Sequence, residues 1–199
     1  MINIRVPFNR HFKVANATKK RYRALKGSAG SGKSVSVAQD FILKLSDTKY
    51  KGANLLVVRK ADVTIKHSTY AELTAAIYRI FGAEWEKYWS IKQTPMELKC
   101  KLTNNGIIFR GMKDEKEREK VKSINFQYGK LTWIWMEEAT ELQEADIDIL
   151  DDRLRGQLSN KNLYYQMTFT FNPASASHWI KEKYFDAPNE DCLPAIPLT

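Results

Sequence analysis

The stretch Tyr22-Arg23-Ala24-Leu25-Lys26-Gly27-Ser28-Ala29-Gly30-Ser31-Gly32-Lys33-Ser34 decides the fold. Its first residues read as a short strand running into a glycine-rich loop. Beyond the loop, Val35, Val37, Ala38, Phe41, Ile42 and Leu45 recur at helical spacing, which predicts an amphipathic helix from Lys33 to Leu45. Gly27 to Ser34 completes the pattern GxxxxGK[ST]. Gly27, Gly30 and Gly32 let the backbone curl, so that N–H groups of the loop, Ser28, Ala29 and Ser31 included, point at phosphate oxygens. The positive end of the following helix adds to the same field. Lys33 then places a charge on the β- and γ-phosphates of ATP, and the Ser34 hydroxyl is a ligand for Mg²⁺. Strand, loop and helix in this order distinguish the motif from a chance glycine-rich turn.

Outward from the loop, Asn54 to Arg59 is a nearly continuous apolar run, as expected for a parallel strand covered on both faces. Ser68 to Phe81 reads as a helix stopped by Gly82. Met96 to Leu102 and Ile107 to Arg110 read as an antiparallel hairpin, with Asn105-Gly106 supplying the positive φ of its turn. Asp114 to Lys122 is a charged helix candidate and Leu131 to Met136 an apolar strand. Ala145 to Arg155 is a further helix, Tyr164 to Phe171 a strand, and His178 to Phe185 a short helix. Residues 1–20 read as a lead-in packed over the first strand. The segment from Pro188 holds three of the six prolines and reads as a tail or linker, which places a single domain at 1–187. The whole is an α/β protein, a three-layer α/β/α P-loop NTPase with a mainly parallel sheet plus an antiparallel hairpin.

A P-loop site that hydrolyses nucleotide also needs a carboxylate for the metal and a group to orient water. The strand Leu131 to Met136 runs directly into Glu137-Glu138, at the sheet edge where ligands bind in such folds. Glu137 is assigned to Mg²⁺ and Glu138 to water activation as general base. Adjacent strand residues point oppositely, so both face one site only if the chain turns between them. Thr168 to Phe171, ending at Asn172-Pro173, is the third element; Asn172 is placed to sense the γ-phosphate through hydrogen bonds. Arg59, at its strand end, is a candidate either for touching nucleotide or for a structural ion pair. Asp146, Asp148, Asp151 and Asp152 fall at helical spacing opposite Ile147, Leu150 and Leu154, which predicts a solvated acidic face. The tryptophans are expected in the core and at interfaces.

Thirty-two Lys and Arg against 23 Asp and Glu leave a formal charge of +9, which favours a polyanionic partner. Cys100 and Cys192 show no metal-ligand spacing and are expected as reduced thiols. No run approaches the ~20 apolar residues of a membrane span, and the start carries no export signal.

Gly27–Ser34 together with Leu56-Val57-Val58-Arg59-Lys60, Ile107 to Asp114, Val121-Lys122-Ser123-Ile124, Trp135 to Leu142, Arg153-Leu154-Arg155 and Thr170-Phe171-Asn172-Pro173 resembles the ATPase domain of the large terminase subunit of tailed bacteriophages and prophages. The resemblance runs from about Arg21 to Phe185. It implies a motor of the additional-strand, catalytic-glutamate (ASCE) class that uses ATP and Mg²⁺. Such a motor forms a homo-oligomeric ring on a portal, works with a small terminase subunit and drives double-stranded DNA into a prohead. It further implies the cytoplasm of an infected or lysogenic bacterium, and a C-terminal nuclease domain that would begin about where this chain stops. No nuclease activity and a monomeric state in isolation are therefore expected. Two departures stand out. The family's metal-binding acid is commonly Asp, where this chain has Glu137. An arginine finger would fall between the hairpin and the acidic strand, where Lys122 occupies the corresponding place and Arg118 is its rival; Lys lacks the bidentate fork of Arg. The alternatives are another P-loop DNA-dependent ATPase, helicase or recombinase-like, and a nucleotide-gated DNA-binding protein without turnover.

Overall fold

The computed structural model describes residues 6–173, 178–186 and 190–193. The elements in chain order are α1 (Lys13–Ala17), β1 (Tyr22–Lys26), α2 (Lys33–Ser46), β2 (Ala53–Arg59), α3 (Asp62–Ile65), α4 (Thr69–Phe81), α5 (Trp85–Tyr88), β3 (Trp89–Gln93), β4 (Met96–Cys100), β5 (Gly106–Gly111), α6 (Glu115–Lys122), β6 (Lys130–Glu137), α7 (Glu144–Asp151), β7 (Gln166–Phe171) and α8 (Trp179–Lys181).

The strands form one seven-stranded sheet in the order β1-β7-β6-β2-β5-β4-β3. β1, β7, β6, β2 and β5 are parallel, whereas β3 and β4 extend the sheet antiparallel beyond β5. Helices cover both faces. On one side α2 and α4 bury Phe41, Ile42, Leu45, Leu73 and Ile77 against Leu55, Val57, Trp133 and Trp135. On the other, α6 and α7 bury Val121, Ile147 and Leu150 against Leu56, Val58, Ile134 and Met136. Both alternate sets of strand residues are thus covered, which is why β2 and β6 read as continuous apolar runs. Each fully buried large side chain contributes roughly 1.5–3 kcal/mol. Phe12 and Ala15 of the lead-in join the first of these cores.

Four local expectations change. The hairpin turn takes its positive φ at Asn104 (φ 62), while Gly106 is the first residue of β5, beside Phe126 and Asn54. β3 was not expected at all: Trp89-Ser90-Ile91-Lys92-Gln93 is too polar to announce a strand, and its pairing partner β4 makes it one. The helix expected to reach Arg155 ends at Asp151. Of the expected tail, Glu190 to Leu193 are described: the Tyr22 and Leu193 amides bond across to the Asp191 and Tyr22 carbonyls, and Cys192 and Leu193 are buried beside β1. Cys100 and Cys192 are both buried and are not joined in a disulfide. Among the described residues no helix is long and apolar enough to cross a membrane.

A buried polar cluster underlies β1. Arg23, fully enclosed, donates to Asp40 Oδ2 at 2.7 Å, Thr168 Oγ1 at 3.0 Å and the Ala15 carbonyl at 3.2 Å, and its guanidinium lies over the Phe41 ring. Lys44 shares Asp40 Oδ2 at 2.8 Å. Burial leads the causes that push the Lys44 ammonium down to about 8.

Candidate functional site

The register of the parallel strands assembles the site. Lys26 stands level with Phe171 and Glu137 level with Thr170, so β1, β7 and β6 deliver Gly27, Asn172 and Glu137 to one edge. β7 lies between the P-loop strand and the acidic strand, which places Asn172 centrally. A pocket of about 220 Å³ opens there, lined by the loop Ala29 to Ser34 with Val35, by Glu137 and Glu138, and by Thr170, Phe171 and Asn172.

The loop turns at Gly30 (φ 79) and Gly32 (φ 80), conformations that carry little cost only without a Cβ. Gly32 is also the N-cap of α2. It has no side chain to cap the helix, and the first turn holds no acid. The helix N-terminus therefore presents its unsatisfied N–H groups to the pocket. Lys33 Nζ donates to the carbonyls of Gly27 (2.7 Å) and Ser28 (3.0 Å), to Ser31 Oγ and to Asn172 Oδ1 (both 3.3 Å). It thus pins the loop and ties it to the end of β7. Burial lowers the Lys33 pKa, and the charges of Glu138 and Glu137 partly restore it.

The acidic wall answers the strand-parity problem. Glu138 adopts a left-handed conformation (φ 49, ψ 50), rare for a residue with a side chain, and this turn brings it into the same pocket as Glu137. A non-glycine residue held there costs about 1–2 kcal/mol, and such conformations concentrate at functional sites. Glu137 Oε1 accepts from Ser34 Oγ at 3.3 Å. Glu137 Oε2 lies 3.4 Å from Arg59 Nε, yet both atoms are buried without an aligned hydrogen bond, so the contact is one of charge alone. Burial pushes the Glu137 carboxyl up and the Arg59 guanidinium draws it back. Arg59 stands behind Glu137 and does not line the pocket.

The two walls have opposite electrostatics. An uncapped helix end, backbone amides and an ammonium favour an anion; the carboxylates facing them would repel it unless a cation lies between. The Ser34 and Glu137 oxygens fit that cation. Their 3.3 Å separation is close to the ~3 Å between neighbouring oxygens of an octahedral Mg²⁺ site, and Glu137 Oε2 has a lone pair to give.

Lys122 and Arg118 lie outside this pocket. Lys122 is exposed and, among the described residues, its ammonium pairs with Glu119, one turn back at 2.6 Å. Arg118 is engaged by Asp146: Nε to Oδ1 is 2.6 Å, and Lys60 approaches Oδ2 at 3.5 Å. The solvated reading of Asp146 is therefore corrected: it is fully buried, joining α6, α7 and the end of β2, and also accepts from the Gln143 amide. Its helical position predicted exposure because the cations that cover it come from elements 28 and 86 residues away. A larger cleft, about 800 Å³, opens between β4, β5 and the segment Ser123 to Tyr128. The helix end that reaches it, at Asp62 of the short α3, carries an acid in its first turn, and the charges of the cleft are mixed, so size does not make it the nucleotide site.

The pattern of the phage terminase large subunit family matches residues 19–193. The terminase large subunit of Bacillus phage SPP1 is 28% identical over 174 residues, covering 86% of this chain and 38% of the relative. The large terminase of a thermophilic bacteriophage has a similar structure (TM-score 0.75, 18% identity), covering 98% of this chain and 46% of that one; it has also been solved with ADP and with ATP-γ-S. The large terminase ATPase domain of Thermus phage P74-26 gives a TM-score of 0.61 at 10% identity, covering 96% of this chain and 80% of that one. This chain thus spans less than half the length of the SPP1 protein and of the thermophilic phage's terminase. With the family pattern matched over most of its length, the chain belongs to the phage terminase large subunits.

Proposed function

We propose that this chain hydrolyses ATP and couples the hydrolysis to translocation of double-stranded DNA, as the motor portion of a viral packaging machine. The observation that carries the reading is the convergence of Lys33, Ser34, Glu137, Glu138 and Asn172 on one pocket, with the left-handed turn at Glu138 bringing the second carboxylate in. That the thermophilic phage's terminase has been solved with ADP and with ATP-γ-S supports nucleotide binding by this chain.

In this reading Lys33 exchanges the loop carbonyls for the β- and γ-phosphates, a stronger, charge-assisted pairing. Ser34 and Glu137 hold Mg²⁺, which supplies charge neutralisation at the phosphates. Glu138 accepts the proton of the attacking water as general base. Asn172, bonded to Lys33, registers whether the γ-phosphate is present. Arg59 balances Glu137 from behind. Lys122 serves a neighbouring subunit's pocket in a homo-oligomeric ring on the portal, alongside a small terminase subunit. Arg118 is committed to Asp146 and is the weaker candidate for that task.

ATPase rate measured against protein concentration, with and without duplex DNA, tests enzyme, assembly and substrate together. Turnover per chain is expected to rise with concentration and with DNA. ATP binding without turnover at any concentration would instead favour a nucleotide-gated DNA-binding protein.

A further inference from the structure

We infer that the sheet edge opposite the nucleotide pocket is a second anion-binding surface, one that holds the phosphate backbone of duplex DNA. The parallel topology defines this edge. β1, β7, β6 and β2 all end at the nucleotide side or next to it, so their starts lie together at the other end, where α2 also finishes. Six exposed cations surround these strand starts: Lys19 before β1, Lys49 and Lys51 before β2, Lys130 opening β6, and Arg155 and Lys161 in the approach to β7. Among the described residues none of the six has an acidic partner within 4 Å, whereas Arg21 and Lys44 nearby are paired with Asp151 and Asp40.

Direct contacts show that the six share one surface. Lys19 lies over the Tyr164 ring, Tyr164 packs on Tyr50, and Lys49 lies over Tyr50. The Asn160 side chain donates to the Lys49 carbonyl, which brings the turn bearing Lys161 alongside. Lys51 lies over Tyr128, and Lys130, two residues on, donates to the carbonyls of Arg155 and Gln157. From β1 to β2 the surface crosses three strand spacings, about 14 Å, which is within the width of a duplex. The nearest acid in sequence to Lys49 and Lys51 is Asp47, whose carboxylate is turned onto the Lys49 amide.

Like charges gathered this way repel one another, and among the described residues no carboxylate within 4 Å offsets that repulsion. A polyanion removes the repulsion and releases its own counterions. The tyrosine rings hold three of the ammonium groups in place, which lowers the entropy lost when a phosphate is bound. The contacts are to backbone charge, so binding is expected to be independent of sequence. The position of the surface follows from the fold; the choice of DNA over an acidic protein rests on the motor reading above.

The test is binding of a fluorescent random-sequence duplex as a function of salt, with polyglutamate as a competitor and basal ATPase measured separately. Six phosphate contacts give a log–log salt slope of about −5. The combined variant Lys49→Gln, Lys51→Gln, Lys161→Gln is expected to make the slope shallower by about 3 while leaving ATPase without DNA unchanged. A control carrying Lys87→Gln and Lys92→Gln, at the opposite side of the sheet, is expected to bind like the parent. Equal slopes for the rim variant and the control would overturn the inference, as would failure of the parent to bind duplex at low salt. Polyglutamate competing as well as duplex per charge would reassign the surface to an acidic protein. If ATP turnover is absent but the rim variant still loses slope, the surface stands and the motor reading falls.

Discussion

Replacing Glu138 by Gly and by Gln separates the backbone from the chemistry at one position. Both remove the carboxylate proposed as general base, and turnover is expected to fall by about 10²–10⁴-fold in each. Stability should distinguish them. Glu138 sits at φ 49, ψ 50, where a Cβ costs about 1–2 kcal/mol. Gly escapes that cost but brings about 0.5–1 kcal/mol of extra chain freedom in the unfolded state. The net expectation is Gly above Gln by about 0.5–1 kcal/mol. For a domain of this size that is roughly 1–4 °C in Tm. Both variants lose the same charge beside Glu137 and Lys33, so electrostatics cancel in the comparison. Thermal unfolding and urea titration, checked for equal m-values, provide the measurement. A Gly variant no more stable than the Gln variant would refute the argument that strain is stored there to turn the second carboxylate inward. Full turnover in purified Glu138→Gln protein would move the base elsewhere.

Lys33→Ala removes two or more charge-assisted contacts to phosphate, each worth about 1.5–3 kcal/mol, so ATP affinity by fluorescence titration should fall by about two orders of magnitude or more. Unchanged affinity would exclude Lys33 from the phosphate site. Asp146→Ala removes the buried carboxylate that Arg118, Lys60 and the Gln143 amide share; a lower urea midpoint is expected, and an unchanged midpoint would show α6 is held by other contacts. Lys44 has a pKa of about 8 in the folded chain, below the ordinary lysine value near 10.5. The unfolded chain therefore binds more protons between these values, and stability rises with pH across that window by up to about 1.4 kcal/mol per unit relative to Lys44→Met. A constant difference between the two proteins from about pH 7 to 10 would show that Lys44 is not desolvated as the structure places it. Lys122→Ala should lower ATPase only at concentrations where subunits assemble; a concentration-independent loss would indicate a role within its own chain.

The strand, the glycine loop and the helix from Tyr22 to Ser46 were legible because phosphate binding needs neighbouring backbone amides, and neighbours in sequence supply them. The acidic pair was legible for a similar reason, since an apolar run ending in Glu137-Glu138 is a local pattern. How two adjacent residues of a strand both reach one pocket was not. It depends on a left-handed turn at Glu138 that no glycine announces. Asp146 was misread because helical spacing describes one helix alone, while Arg118 and Lys60 arrive from elsewhere to enclose it. The enclosure of Arg23 with Asp40 and Lys44, and the strand at Trp89 to Gln93, were hidden in the same way. Sequence by itself thus singled out the loop and the acidic pair, the groups proposed to bind phosphate and metal, because that chemistry is written in short spacings. Only the tertiary structure decided which charges are paired, which are buried and which are left to face a partner, because those depend on distances between elements that the order of strands sets.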